Sequence, residues 1–234
     1  MILLEIAALA LLLLLLPLGS SRQLRHLDPS VLRRIPAYLE SMVAIGAIGA
    51  LGLWLGERRW GLAGLGLAPV AGWSLTVGRA LVLTGVAILV LEAFDRWRVR
   101  SGRAESAYVQ ALMPRSGAEK GVFAALSIMA GVGEEIAYRG FALLLVSAWT
   151  GSLALATVVT ALAFGWVHAY QGTFGRVRAA VLGGGLTLPV LLGWGLWPAI
   201  LAHTFIDWIG GLVLGSRWIE EPPPENAEAE WRST

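Results

Sequence analysis

Cysteine is absent from the 234-residue sequence, which removes disulfides, a thiol nucleophile and cysteine-ligated metal together. Charge is scarce as well: 15% of residues are charged against 56% hydrophobic, and the mean hydropathy is +0.68. Such values exclude an ordinary soluble domain. Also missing are an H-E-x-x-H zinc motif, a phosphate- or dinucleotide-binding glycine pattern opening a helix, a recognisable serine nucleophile motif and any internal repeat. The net charge of +2 and pI near 9.4 come from basic residues spread over several short loops. Membrane orientation accounts for that spread better than nucleic acid does.

What is present is a series of long apolar runs. A hydrocarbon core about 30 Å thick needs about 20 apolar residues as helix, and spans of that kind lie near 2–18, 36–56, 76–94, 120–149, 152–170, 177–194 and 196–215. The fold expected is all-α: a polytopic membrane bundle of about seven to eight transmembrane helices around a polar intramembrane cavity. The opening run has the apolar content of a signal peptide, yet Glu5 replaces a basic n-region and no clear A-x-A site follows, so it reads as a retained first helix. The fourth run is too long for one simple crossing. It either tilts or breaks near Gly131–Gly133, where glycine weakens the helix.

Three loops concentrate arginine: Arg22, Arg25, Arg33 and Arg34 after the first span; Arg96 to Lys120 after the third; Arg176 and Arg178 after the fifth. In a seven-span arrangement they fall on one side, predicted to be cytoplasmic together with the C-terminus; Arg58 and Arg59 are the exception opposite. Of eleven tryptophans, Trp54, Trp60, Trp73, Trp149, Trp194 and Trp197 stand at span ends and suit interfacial anchoring. Gly52 and Gly56, at G-x-x-x-G spacing, and the triplet Gly183–Gly185 read as helix contacts, the triplet alternatively as a helix break. Residues 1–215 form one membrane domain, and the acidic, proline-rich 216–234 reads as a disordered tail.

Against this background three stretches bring ionisable groups into apolar surroundings: "GEEIAYRG" at 133–140, "FGWVH" at 164–168 and "HTFID" at 203–207. Charge at membrane depth costs a few kcal/mol or more, so such groups usually line a protein interior or a wet cavity. Residues four apart share a helix face. Glu135 therefore meets Arg139, while Glu134, about 100° away, points elsewhere; Phe164 meets His168, and His203 meets Asp207. A carboxylate and two histidines gathered by helix packing suit activation of water and stabilisation of an oxyanion. The third histidine, His26, sits in a basic loop and reads as solvated, and the near-terminal Glu5, Glu40, Arg79 and Glu92 read as snorkelling to the interface. Three rivals accompany this reading. The Glu–Arg pair and the histidines also suit purely structural contacts between helices; His168, His203 and a carboxylate from Glu134 or Asp207 also suit a metal; and charge at depth also suits an ion or proton transporter, although no inverted repeat is evident.

Together the three stretches resemble the CAAX protease and bacteriocin-processing family of intramembrane proteins, whose signature runs E-E-x-x-x-R, F-x-x-x-H and H-x-x-x-N. The likeness covers about residues 115–215, the protease-like core. It implies a glutamate-type endopeptidase in a bacterial plasma membrane, acting on a peptide or protein substrate, with or without a lipid modification, among membrane lipid; the missing H-E-x-x-H motif and the spread of the basic residues separately favour no metal or cofactor and no nucleic-acid partner. It also implies the catalytic positions: Glu134 as general base, His168 assisting, His203 and Asp207 at the oxyanion, and Glu135 with Arg139 supporting. Asp207 replaces the family's asparagine. An ionised carboxylate only accepts hydrogen bonds, so an oxyanion role requires Asp207 itself to be protonated, or to hold His203 protonated so that the ring donates.

Overall fold

The computed structural model describes residues 1–23 and 28–219. His26 and the tail beyond 219 lie outside the described residues. Helices and short connections account for the architecture: α1 (Ile2–Arg22), α2 (Arg34–Gly64), α3 (Trp73–Arg100), α4 (Ala107–Leu112), α5 (Gly117–Thr150), α6 (Leu153–Val167), α7 (Gly172–Gly185), α8 (Leu188–Leu191) and α9 (Trp197–Leu214), followed by the turn Ser216–Ile219. Six helical runs are long and apolar enough to cross a membrane. The fifth, Leu153–Leu191, holds both the fifth and sixth expected spans. It turns at His168–Gln171 and at Gly172, whose φ of 71° suits a residue without Cβ, and α7 folds back on α6.

Local chemistry sets the ends of these elements. A reciprocal capping box opens α5: Ser116 Oγ accepts the Glu119 N–H at 3.2 Å, and Glu119 Oε2 accepts the Ser116 N–H at 2.9 Å. Ser152 caps α6 through the Leu155 N–H at 3.2 Å, and proline stands in the first turn of α9. The long α5 passes through Gly131–Gly133 as helix, so the break expected there is not found. Its irregularity comes just afterwards, as a π-helical turn at Ile136–Ala142. Turns of this type recur at functional sites.

Small residues decide how closely the core helices approach. A Cβ on Gly49 would lie 2.6 Å from Gly133 Cα, and one on Gly52 would lie 3.0 Å from Ala137 Cα. The backbones of α2 and α5 therefore touch along the turn that precedes and follows the two glutamates. Gly183 of the glycine triplet is likewise a contact, facing Arg139 and Phe164.

The three arginine-bearing segments meet at one end of the bundle, although Arg176 and Arg178, expected in a loop, stand within the helix α7. Ser20 Oγ donates to Val167 O at 2.6 Å, Ser106 Oγ donates to Tyr170 O at 2.6 Å, and Arg34 pairs with Glu119 at 3.5 Å. The opposite end is closed by Leu196 N–H donating to Gly66 O at 2.7 Å and by Trp197 Nε1 donating to Leu67 O at 2.8 Å. The Arg58–Arg59 exception also has a local account. Arg58 lies over the Trp54 ring, and Arg59 makes two bonds, of 3.1 and 2.9 Å, to Glu5. Glu5 is thus fully buried and paired across α1 and α2 instead of snorkelling. Arg217, within the expected tail, pairs with Glu92 at 2.8 Å.

Candidate active site

The packing of α9 against α5 brings the first and third polar stretches together. Glu135 is fully buried and its Oε1 receives two bonds: one from Arg139 Nη1 at 2.9 Å, four residues on, and one from His203 Nδ1 at 2.8 Å, across the helix contact. Arg139 spends its second amino group on Gly183 O of α7 at 2.6 Å and stacks over the Phe164 ring of α6 at 4.5 Å. One glutamate and one arginine thereby tie four helices. Charge-assisted bonds of this kind are among the strongest a dry interior offers.

Glu134 leaves the same helix in another direction. Its Oε2 is buried, makes no hydrogen bond among the described residues and lies 3.9 Å from His203 Nε2. Asp207 Oδ2 lies 3.8 Å from the same nitrogen, and its side chain is one-third exposed. His203 therefore has one nitrogen committed to Glu135 and the other facing two carboxylates. The spacing argument expected Asp207 to orient His203, but the carboxylate within hydrogen-bond distance is Glu135. It reaches the ring from another helix, a pairing that periodicity within α9 does not reveal.

His168 joins the cluster through Phe164. Its Nδ1 lies 2.8 Å from the Phe164 carbonyl, its ring centroid is 4.6 Å from the Phe164 ring, and that ring is 6.1 Å from His203. A carbonyl only accepts, so Nδ1 carries the proton and the free lone pair of a neutral ring is at Nε2. Glu134, Glu135, Arg139, His203 and Asp207 thus share one cluster, with His168 on the far side of an aromatic ring. Among the described residues, no three histidine or carboxylate side chains converge as a metal-binding set.

Two features escaped the sequence reading. Gly183 supplies the carbonyl that fixes Arg139; the glycine triplet was its only visible signal. Beside the His168 turn, Arg98, Glu105 and Arg178 form a buried ionic group, with Glu105 Oε2 at 3.7 Å from Arg98 and 3.4 Å from Arg178. An acid isolated in the most basic loop was the available clue.

The chain is a multi-pass, all-helical membrane protein whose buried carboxylates, arginine and histidine meet inside the bundle. Residues 118–209 match the Rce1-like family, type II CAAX prenyl endopeptidase Rce1-like. The matched segment is less than half the chain and contains all six candidate residues, so the resemblance carried by the three motifs holds where the site is built. It supports a CAAX-protease-type function in general, hydrolysis of a protein substrate. No curated protein and no solved structure matches the chain significantly.

Proposed function

We propose that this protein is an intramembrane endopeptidase of the glutamate type, in which Glu134 activates water for attack on a peptide carbonyl. The observation that carries the reading is the buried Glu134 Oε2, an acceptor with no hydrogen-bond partner among the described residues beside a histidine held by a second glutamate. A general base needs such a free lone pair directed at the proton it removes.

The division of labour follows from the bonds. Glu135 and Arg139 neutralise each other and fix His203 through Nδ1. As the water oxygen bonds to the carbonyl carbon, its proton passes to Glu134. The oxyanion that develops takes a hydrogen bond from Nε2 of a doubly protonated His203, whose other nitrogen donates to Glu135. Asp207 accompanies that charge and is not itself the donor. When the carbon–nitrogen bond breaks, the proton held on Glu134 passes to the leaving amine. His168, anchored through Nδ1, keeps Nε2 free and assists from across the Phe164 ring. The substrate is a peptide or protein, with or without a lipid modification, reached from a bacterial plasma membrane.

A second reading is favoured by one specific feature: the Glu135–Arg139–His203 network joins helices so completely that a non-catalytic scaffold or immunity-type protein would have use for it. Glu134→Gln separates the two. Peptide termini generated in native membranes are compared by mass spectrometry at matched folded levels, with and without a chelator. Termini that vanish with Glu134 and ignore the chelator support the endopeptidase; unchanged termini for a supplied substrate favour the scaffold.

A further inference from the structure

Outside the polar cluster, an apolar groove of about 720 Å³ lies between α1 and α6. Leu13 and Leu14 form one wall, Val159 and Leu162 the other, and Trp149 and Trp166 stand at its two ends. Leu14 and Leu162 are 58% and 61% exposed, so the slot opens laterally. Along α1 it runs from Ile6 to Leu18, a rise of about 18 Å, against about 15 Å for one leaflet's share of the hydrocarbon core. That is the length of a single acyl chain.

The two ends differ chemically. At the Trp166 end the indole N–H donates to Ser21 Oγ at 2.9 Å, the guanidinium of Arg176 lies over the ring at 5.6 Å, and exposed Arg22 follows directly on α1. At the Trp149 end the only nearby acid on α1, Glu5, is already closed by Arg59. Cationic side chains beside an interfacial tryptophan are complementary to a lipid phosphate, and each contributes appreciably to attraction of anionic headgroups. The walls are mostly branched or aromatic, unlike the glycine contact between Gly49 and Gly133 that admits a helix in this same protein. A lipid chain suits them better than a partner helix.

We propose that the α1–α6 groove is a binding site for one anionic glycerophospholipid, its acyl chain lying along α1 and its phosphate held between Arg22 and Arg176. The site is independent of the chemistry at Glu134.

The full-length protein in mild detergent is titrated with phosphatidylglycerol and with phosphatidylcholine of the same chains, and bound lipid is counted by native mass spectrometry. The expected result is one retained phosphatidylglycerol with about tenfold preference. Leu14→Trp and Leu162→Trp, which fill the groove from opposite walls, abolish retention of both lipids. The double variant Arg22→Gln, Arg176→Gln keeps the chain site and loses the headgroup preference. Unchanged retention in the filled variants, equal retention of the two lipids by the wild type, or displacement by an isoprenyl alcohol without any headgroup preference would overturn the assignment. Photolabelling of the unaltered protein with a diazirine-acyl phosphatidylglycerol needs no variant to fold: adducts within 6–18 and 149–166 support the site, and adducts elsewhere sink it.

Discussion

Two of the glutamate–arginine pairs inside this bundle, Glu5–Arg59 and Glu135–Arg139, end differently. Glu5 meets Arg59 through both carboxylate oxygens, at 3.1 and 2.9 Å, and nothing on the acid remains unmatched. Glu135 meets Arg139 through one oxygen only, shares that oxygen with His203, and stands next to Glu134, so that one oxygen on each of the two adjacent glutamates is buried without a hydrogen bond among the described residues. Burial of charge alone is therefore no sign of chemistry. The distinguishing mark is acceptor capacity that the fold leaves open, which in a membrane interior is costly to keep and has a use only if something binds there.

The comparison breaks most sharply at Glu134. Replacing it by Gln keeps volume and removes the base, so turnover of a cleavable peptide should fall by at least about 10³-fold, within the range that general base catalysis supplies. The melting temperature in detergent should stay near that of the wild type. A parallel loss of folded protein and activity would make Glu134 structural.

Arg139→Ala should act on both quantities. It strips the neutralising partner from a fully buried glutamate and also releases Gly183 O and the Phe164 ring. Breaking a buried pair in this way costs about 3–5 kcal/mol. Denaturation curves should show that loss, with little activity left in the surviving folded fraction because His203 loses its fixed support. The corresponding change in the closed pair, Arg59→Ala, should cost less, about 2 kcal/mol, because Arg59 is one-third exposed and its charge is partly screened. Turnover per folded molecule should not change. If Arg59→Ala lowered turnover as Arg139→Ala does, the distinction between the two pairs would collapse.

Much of this was legible from residue spacing. Hydropathy located the spans, and the four-residue period paired Glu135 with Arg139 and set Glu134 aside, because both facts are properties of a single helix. Contacts between helices carry no such period. Glu135 and His203 are 68 positions apart, so nothing along α5 announced that the supporting glutamate would also hold the histidine. Glu5 was misread for the same reason: its place near a span end suggests snorkelling, and only the packing of α1 on α2 encloses it. Glycine gave a partial signal. Gly52 was correctly a packing residue, but the tightest approach falls at Gly49, one turn earlier, since the G-x-x-x-G spacing identifies a helix face and not the point where the backbones cross.

The finest test concerns the one residue that departs from the family pattern. Asp207 lies 3.8 Å from His203 Nε2, too far for a hydrogen bond, and its side chain is the most exposed carboxylate of the cluster. If it were the oxyanion donor, Asp207→Ala would remove a donor and lower turnover by about 10²–10³-fold. With His203 as donor, Asp207 acts only through its field, and Asp207→Ala should lower turnover by about tenfold or less with KM nearly unchanged. Asp207→Asn restores the family's residue and adds an amide donor. It should match or exceed the wild type, most visibly at high salt, where the field of a partly exposed carboxylate is screened and a direct hydrogen bond is not. A large loss in Asp207→Ala that Asp207→Asn fully repairs would move the donor from His203 to position 207, and with it the meaning of the Glu135–His203 bond.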